Sequence, residues 1–249
     1  MERDLNGRVA VITGASSGIG EATARALADR GAKVALLARR AERVESLAEE
    51  LSSNGAGNAI AVEADVTDRE SLERAAERVR EELGRPDILI NNAGVMLLAP
   101  IERGKTGEWR QMLDVNLMGV FETTDVFLEQ LLEGGGDIVN ISSVAGRIGI
   151  AGAGAYNATK WGLNGWSDAL RQEVLGKDVR VITIEPGAVN TELSDHISDE
   201  DAKQRVESMP ESFDILEAED IASAIEYAVS RPERVQISEL LIRPTGQPN

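Results

Sequence analysis

The residues from Val9 to Gly20, Val-Ala-Val-Ile-Thr-Gly-Ala-Ser-Ser-Gly-Ile-Gly, constrain this chain more than any other stretch. The apolar run Val9 to Ile12 predicts a short strand buried on both faces. Gly14, Gly18 and Gly20 follow, and the alanine-rich Glu21 to Arg30 predicts a helix closed by Gly31. A strand that feeds a helix through glycines suits a phosphate. The helix start offers unpaired N–H groups and the positive end of its dipole. Glycines let the backbone approach a pyrophosphate where a Cβ would collide. The spacing is Gly-x-x-x-Gly-x-Gly, so a tight turn without ligand is the rival reading.

The remaining pattern repeats this unit. Lys33 to Ala38, Ala59 to Ala64, Asp87 to Ile90, Asp137 to Ile141, Val179 to Ile184 and Glu239 to Ile242 predict further strands. Helices are expected over 41–51, from a capping box at Thr67 to about Leu83, over 107–132, from Tyr156 to about Leu175, and over 217–230. Residues 190–214 are polar and aperiodic, and predict a mobile substrate lid. Regular alternation over 249 residues implies one doubly wound, mostly parallel seven-stranded α/β sheet with helices on both faces.

Composition narrows the chemistry. A net charge of −17 argues against nucleic acid and anionic membranes as partners. The acidic, lysine-poor surface would suit high salt, although ordinary acidic proteins share it. No apolar run approaches the ~20 residues of a membrane span, and no signal-peptide core is present. With no cysteine, the cytoplasm is the expected location. His196 is the single histidine, which removes multi-histidine zinc sites and leaves one possible Ser-His-Asp base. No metal is expected.

Specific polar residues stand at predicted strand ends. An Asp or Glu closing the second strand would hold the ribose 2′-hydroxyl of NAD. This chain has Arg39 and Arg40 there, and a guanidinium suits the 2′-phosphate of NADP. The alternative is two solvated arginines. Asp65 either binds an adenine edge or serves its turn. Asn91 to Gly94 either sits beside a ligand or ties strands together. Asn116 lies among apolar helix residues, where a buried amide needs partners. Tyr156 and Lys160 are four apart on one helical face, and Ser143 ends the fifth strand. A phenol has a pKa of ~10, and a neighbouring ammonium is expected to lower it into use as an acid–base group.

Thr13-Gly-Ala-Ser-Ser-Gly-Ile-Gly20, Asn91-Asn-Ala-Gly94, Asn116, Ser143, Tyr156-x-x-x-Lys160 and Pro186-Gly187 occur in the order of the short-chain dehydrogenase/reductase family, which the chain resembles over nearly its whole length. Ser143, thirteen positions before Tyr156, is the match rather than Ser142. The resemblance implies a Rossmann-fold NAD(P)-dependent oxidoreductase with Asn116, Ser143, Tyr156 and Lys160 as the catalytic tetrad, Asn116 helping to hold a relay water. It implies a cofactor site of Gly14, Ser16, Ser17, Gly18, Ile19, Gly20, Arg39, Arg40, Asp65, Val66, Asn92, Ala93 and Gly94. Tyr156, Lys160, Pro186, Gly187, Val189 and Thr191 complete it. Asp65 and Val66 match an adenine-contacting pair, and Thr191 matches a contact to the carboxamide.

More closely, Glu21 to Leu27, Val95 to Leu98, Leu170 to Val174 and Ile242 to Thr245 resemble the branch that holds clavulanic acid dehydrogenase and related NADP-dependent reductases. By analogy a homotetramer or homodimer is expected, with NADP(H) as cofactor and NAD(H) as the weaker one. The expected substrate is a small ketone, aldehyde or alcohol with apolar flanks, met by Met96, Leu97, Ile148, Ile150, Met209 and Phe213. A dinucleotide sensor without catalysis, and an epimerase or lyase on the same fold, are the rival functions.

Overall fold

The structure is a computed structural model that describes residues 2–53, 58–208 and 212–248. Its sheet comprises β1 (Val9–Thr13), β2 (Lys33–Ala38), β3 (Ala59–Glu63), β4 (Ile88–Asn91), β5 (Gly136–Ile141), β6 (Val179–Pro186) and β7 (Glu239–Ile242). The spatial order is β3-β2-β1-β4-β5-β6-β7, and every neighbouring pair is parallel. The helices are α1 (Gly18–Asp29), α2 (Ala41–Ser53), α3 (Arg69–Glu82), α4 (Thr106–Leu113), α5 (Gly119–Gly134), α6 (Gly154–Glu173), α7 (Glu200–Glu207) and α8 (Ala218–Val229).

The continuous apolar runs have a direct cause. Successive side chains leave opposite faces of a strand. Ala10 and Ile12 enter a core closed by Leu27 of α1, Leu47 of α2 and Ile225 of α8. Val9 and Val11 enter a second core with Val79 of α3, Phe127 of α5 and Leu170 of α6. Both faces are covered, so a polar residue has no solvated side to occupy. Each large apolar side chain so buried contributes roughly 1.5–3 kcal/mol.

Several expected boundaries shift. The helix over 107–132 is interrupted: Asp114–Met118 forms a π turn between α4 and α5. There the buried Asn116 amide pairs with the Val95 backbone, and the helix widens to present it. The capping box at Thr67 does not form. Asp68 caps α3 by accepting from the Ser71 N–H, while Thr67 turns back to Asp65. β6 runs past Ile184 to Pro186, and the Gly187 N–H then donates to the Ile242 carbonyl at 2.7 Å. The aperiodic segment after Asn190 contains a 3₁₀ turn, Glu192–His196, and α7. These pieces are too short to show a clear repeat.

At the amino ends of the strands, Asp137 is fully buried. It accepts from Arg180 Nε at 2.5 Å and Arg8 Nη1 at 3.2 Å, with Arg3 Nη1 at 3.6 Å. Arg180 also donates to the carbonyls of Val229, Arg231 and Val235, fastening the end of α8.

Candidate active site

Strand order reverses across β1 and β4, so the crevice beyond their carboxyl ends is where an open parallel sheet takes a ligand. The glycine loop opens it. Gly14 and Gly18 hold φ of +66° and +55°. A Cβ on Gly14 would stand 2.9 Å from Ala93 Cα, and one on Gly20 would strike the Gly14 carbonyl. Ser17 is the N-cap of α1, but its side chain does not cap the helix. Among the described residues the first N–H groups of α1 therefore lack a side-chain acceptor, at an end suited to phosphate. Ile19 packs partly into the core behind the loop.

The β4 end braces this loop. Asn92 Nδ2 donates to the Thr13 and Gly14 carbonyls at 2.9 and 3.2 Å. The N–H groups of Asn92 and Ala93 both reach Thr13 Oγ1. The tying role thus engages the Asn92 amide. Gly94 sits against Asn116, where a Cβ would lie 3.4 Å from Oδ1. Asn116 itself donates to the Val95 carbonyl and accepts its N–H, both at 2.8 Å. The satisfied structural role anticipated for this amide is therefore present.

The two arginines after β2 differ. Arg39 is exposed, borders a cavity of about 660 Å³ with Val66 and Thr67, and makes no hydrogen bond or ion pair among the described residues. Arg40 is engaged by Ser16, Ser17 and Glu192. Asp65 serves its turn, with Oδ1 accepting the N–H and hydroxyl of Thr67 at 2.9 and 2.8 Å. Val66 presses on Gly119, where a Cβ would come within 2.8 Å of it.

Ser143, Tyr156 and Lys160 meet beyond β5. Lys160 is buried, donates to the Ile141 carbonyl at 2.9 Å, and lies 5.7 Å from the Tyr156 ring centre. Burial works against the expected lowering of the phenol's pKa. Burial pushes Tyr156 up to about 12, and the neighbouring Ser143 hydroxyl only partly opposes this. Burial pulls Lys160 down to about 8. Burial thus disfavours both charged forms and sets the lysine's proton loss below the phenol's.

This order has a consequence for stability. Between about pH 8 and 10.5 the unfolded lysine binds a proton that the folded one has released. Unfolding free energy therefore rises with pH in that window through Lys160. Relative to Lys160→Met, the cofactor-free chain should gain up to about 3 kcal/mol across it. Urea titrations of both chains at several pH values measure the difference, and a constant gap would contradict the assignment.

The sequence pattern of the short chain dehydrogenases matches residues 8–202. The chain belongs to this family. An uncharacterized oxidoreductase of Staphylococcus saprophyticus is 38% identical over 98% of each chain. The alcohol dehydrogenase of the archaeon Thermococcus sibiricus, solved with 5-hydroxy-NADP, superposes with a TM-score of 0.86 at 33% identity over 97% of this chain and 98% of its own. The closed form of serine dehydrogenase, solved with NADP+, gives a TM-score of 0.90 at 33% identity over 97% and 96%. The chain is thus an oxidoreductase by family.

Other expected residues of this short-chain dehydrogenase fall around the same crevice or away from it. Pro186 ends β6, Gly187 follows it, and Val189 bridges to Leu216. Thr191 caps the following turn and faces Gly18, where a Cβ would lie 3.0 Å from its methyl. Leu97 is buried with Tyr156 and Ala145, and Met96 packs on that cluster. Ile148 and Ile150 are exposed, and Phe213 packs on Gly246 at the C-terminal tail. Met209 lies outside the described residues. His196 is exposed on its 3₁₀ turn, apart from the buried cluster.

Two amides that shape the site escaped the sequence reading. Asn157 donates to the Ala145 and Ile148 carbonyls, both at 2.6 Å, and accepts the Ile150 N–H. It holds the loop that follows Ser143. Asn164 bonds Gly146 O and the buried Glu185 carboxylate, which Arg147 also grips at 2.7 Å. Asparagine inside a helix was the available clue, since such residues stay there chiefly when tertiary partners satisfy them.

Proposed function

We propose that this chain interconverts a small ketone or aldehyde and the corresponding alcohol by hydride transfer with NADP(H), NAD(H) being the weaker cofactor. One observation carries it: a half-buried Ser143 meets the buried Tyr156 and Lys160 at the end of the sheet that also carries the glycine loop, whose helix has no side-chain cap from Ser17. The positive-φ glycines, the close approach of Gly14 to Ala93 and the accessible Arg39 guanidinium all suit a phosphorylated dinucleotide. The alcohol and serine dehydrogenases named above carry NADP-type nucleotides in their structures and are consistent with this choice.

In this reading the glycine loop and α1 hold the diphosphate, and Arg39 with Arg40 hold the 2′-phosphate. Val66 borders the adenine. Lys160 has two N–H groups beyond its bond to Ile141 O to offer a ribose. The cofactor supplies the hydride when bound. Ser143 positions the substrate oxygen, and Tyr156 donates or removes its proton. Asn116 and its π turn hold the water that links Lys160 to solvent. The described part of 190–214, residues 190–208 and 212–214, would form the lid, and Met96 and Leu97 would give the substrate pocket an apolar wall. Within the family, we place the chain near the clavulanic acid dehydrogenase branch on its sequence resemblance. We propose a homotetramer, whose interfaces would cover the exposed Met118 and Trp161 and the exposed Leu241 on the edge strand.

The deciding experiment follows NADPH and NADH absorbance against a panel of ketones, aldehydes and alcohols. Turnover with NADPH on at least one carbonyl supports the proposal, and no net oxidation of NADPH with any would overturn it. Arg39→Asp should weaken NADPH binding by roughly tenfold or more and shift preference toward NADH. An unchanged NADPH/NADH ratio in fluorescence titrations would remove Arg39 from the 2′-phosphate site.

A further inference from the structure

Every hydrogen-bonding nitrogen of Arg40 is already in use. Nε and Nη2 donate to Ser16 Oγ at 3.1 and 2.9 Å, and Nη2 also donates to Ser17 Oγ at 2.9 Å. Nη1 donates to Glu192 Oε2 at 2.9 Å. Arg43, one turn along α2, donates through Nη1 to both oxygens of the same carboxylate at 2.8 and 2.9 Å. These partners lie about 150 positions apart in the chain. Glu192 immediately follows Thr191, whose methyl lies over Gly18 of the glycine loop. A carboxylate from the segment after β6 therefore sits on Arg40, one of the two arginines assigned to a phosphate, and on its neighbour Arg43, while Arg39 stays outside the contact. The two guanidiniums hold its pKa down at about 2, so it stays ionised at any working pH.

We infer that Glu192 is an internal competitor for the 2′-phosphate subsite, and so a determinant of cofactor specificity. The inference rests on the reading that Arg39 and Arg40 receive that phosphate. A phosphate dianion cannot take the Nη1–H of Arg40 that Glu192 accepts while the carboxylate is there, and the carboxylate's charge repels an anion brought to the rest of that guanidinium. Ion pairs exposed to this degree are weak, so a better anion displaces them rather than being shut out. NADP(H) entry then releases the turn 192–196 from α2, and NAD(H), lacking the 2′-phosphate, leaves the contact in place. Glu192 thereby lowers the affinity for the preferred cofactor and narrows its margin over the other.

The test is the dissociation constants of NADPH and NADH, measured by fluorescence titration on the full chain and on Glu192→Gln. NADPH should bind roughly threefold to tenfold more tightly to the variant, with NADH changed less than about twofold. Glu192→Ala, which leaves neither charge nor amide, should show the same pattern, tighter NADPH with NADH changed less than about twofold. Unchanged or weaker NADPH binding in both variants overturns the inference. Equal tightening of NADPH and NADH overturns it too, because the carboxylate would then act on the shared diphosphate. If the parent chain binds NADH as tightly as NADPH, the assignment of the arginines fails and the inference with it. If the parent prefers NADPH and the ratio does not move, the inference alone fails.

Discussion

Tyr156→Phe is expected to lower turnover by about 10²–10⁴-fold while leaving NADPH affinity within about twofold. The substitution removes one oxygen and keeps the ring that packs against Leu97, Ala145 and Ala153. The pocket should therefore stay intact, and only the proton donor is lost. The phenol is neutral at pH 7 even at its ordinary pKa of ~10, and burial pushes it further up, to about 12. It is thus ready as an acid for carbonyl reduction. Alcohol oxidation needs the phenolate, so its rate should rise with pH through the alkaline range, whereas reduction should not. Steady-state rates in both directions, with NADPH titrations on the same samples, check this. A chain that only sensed the dinucleotide would be indifferent to the change.

The second large effect concerns stability. Asp137→Asn should lower the unfolding free energy by about 3–5 kcal/mol, a fall of roughly 10 °C in Tm for a chain of this size. Asparagine is nearly the same shape, so packing is kept and the charge is lost. Arg180 and Arg8 are buried around that carboxylate, and Arg3 approaches it. Burial already pushes the Arg8 pKa down, and Asp137 is the leading influence in the other direction. Without Asp137 the guanidiniums remain desolvated with no counter-charge at the centre, and Arg180 loses a partner while it fastens α8 to β6. Thermal melts and urea titrations measure the loss. A change below about 3 °C would mean that Asp87 and backbone carbonyls satisfy the arginines without Asp137.

Much of the site was visible in local pattern. Tyr156 and Lys160 share a helical face because their spacing is one turn, and Ser143 reaches them because β5 and α6 are neighbours in any doubly wound sheet. The glycine loop announced itself through conformations that only glycine takes readily, as Gly14 and Gly18 do. The two arginines were visible as a pair but not as individuals. Nothing near Arg40 in the chain indicates that Glu192 will hold it and leave Arg39 accessible. The π turn at Asn116 was hidden for a related reason, since its partner is the backbone of Val95 on another element. Asp137 read as the polar first residue of a strand, with no sign that three arginines would close on it.

The amino-acid order alone therefore determined the elements, their parallel assembly and the end of the sheet where chemistry gathers. Those properties follow from periods of two and 3.6 residues and from backbone freedom, which act over a few neighbours. Folding decided the electrical state of the site: which arginine is engaged, which amide is spent on structure, and that the lysine releases its proton before the phenol. Charge interactions and desolvation depend on what the folded chain brings within a few ångströms and on how much water it excludes, and neither quantity is carried by local spacing.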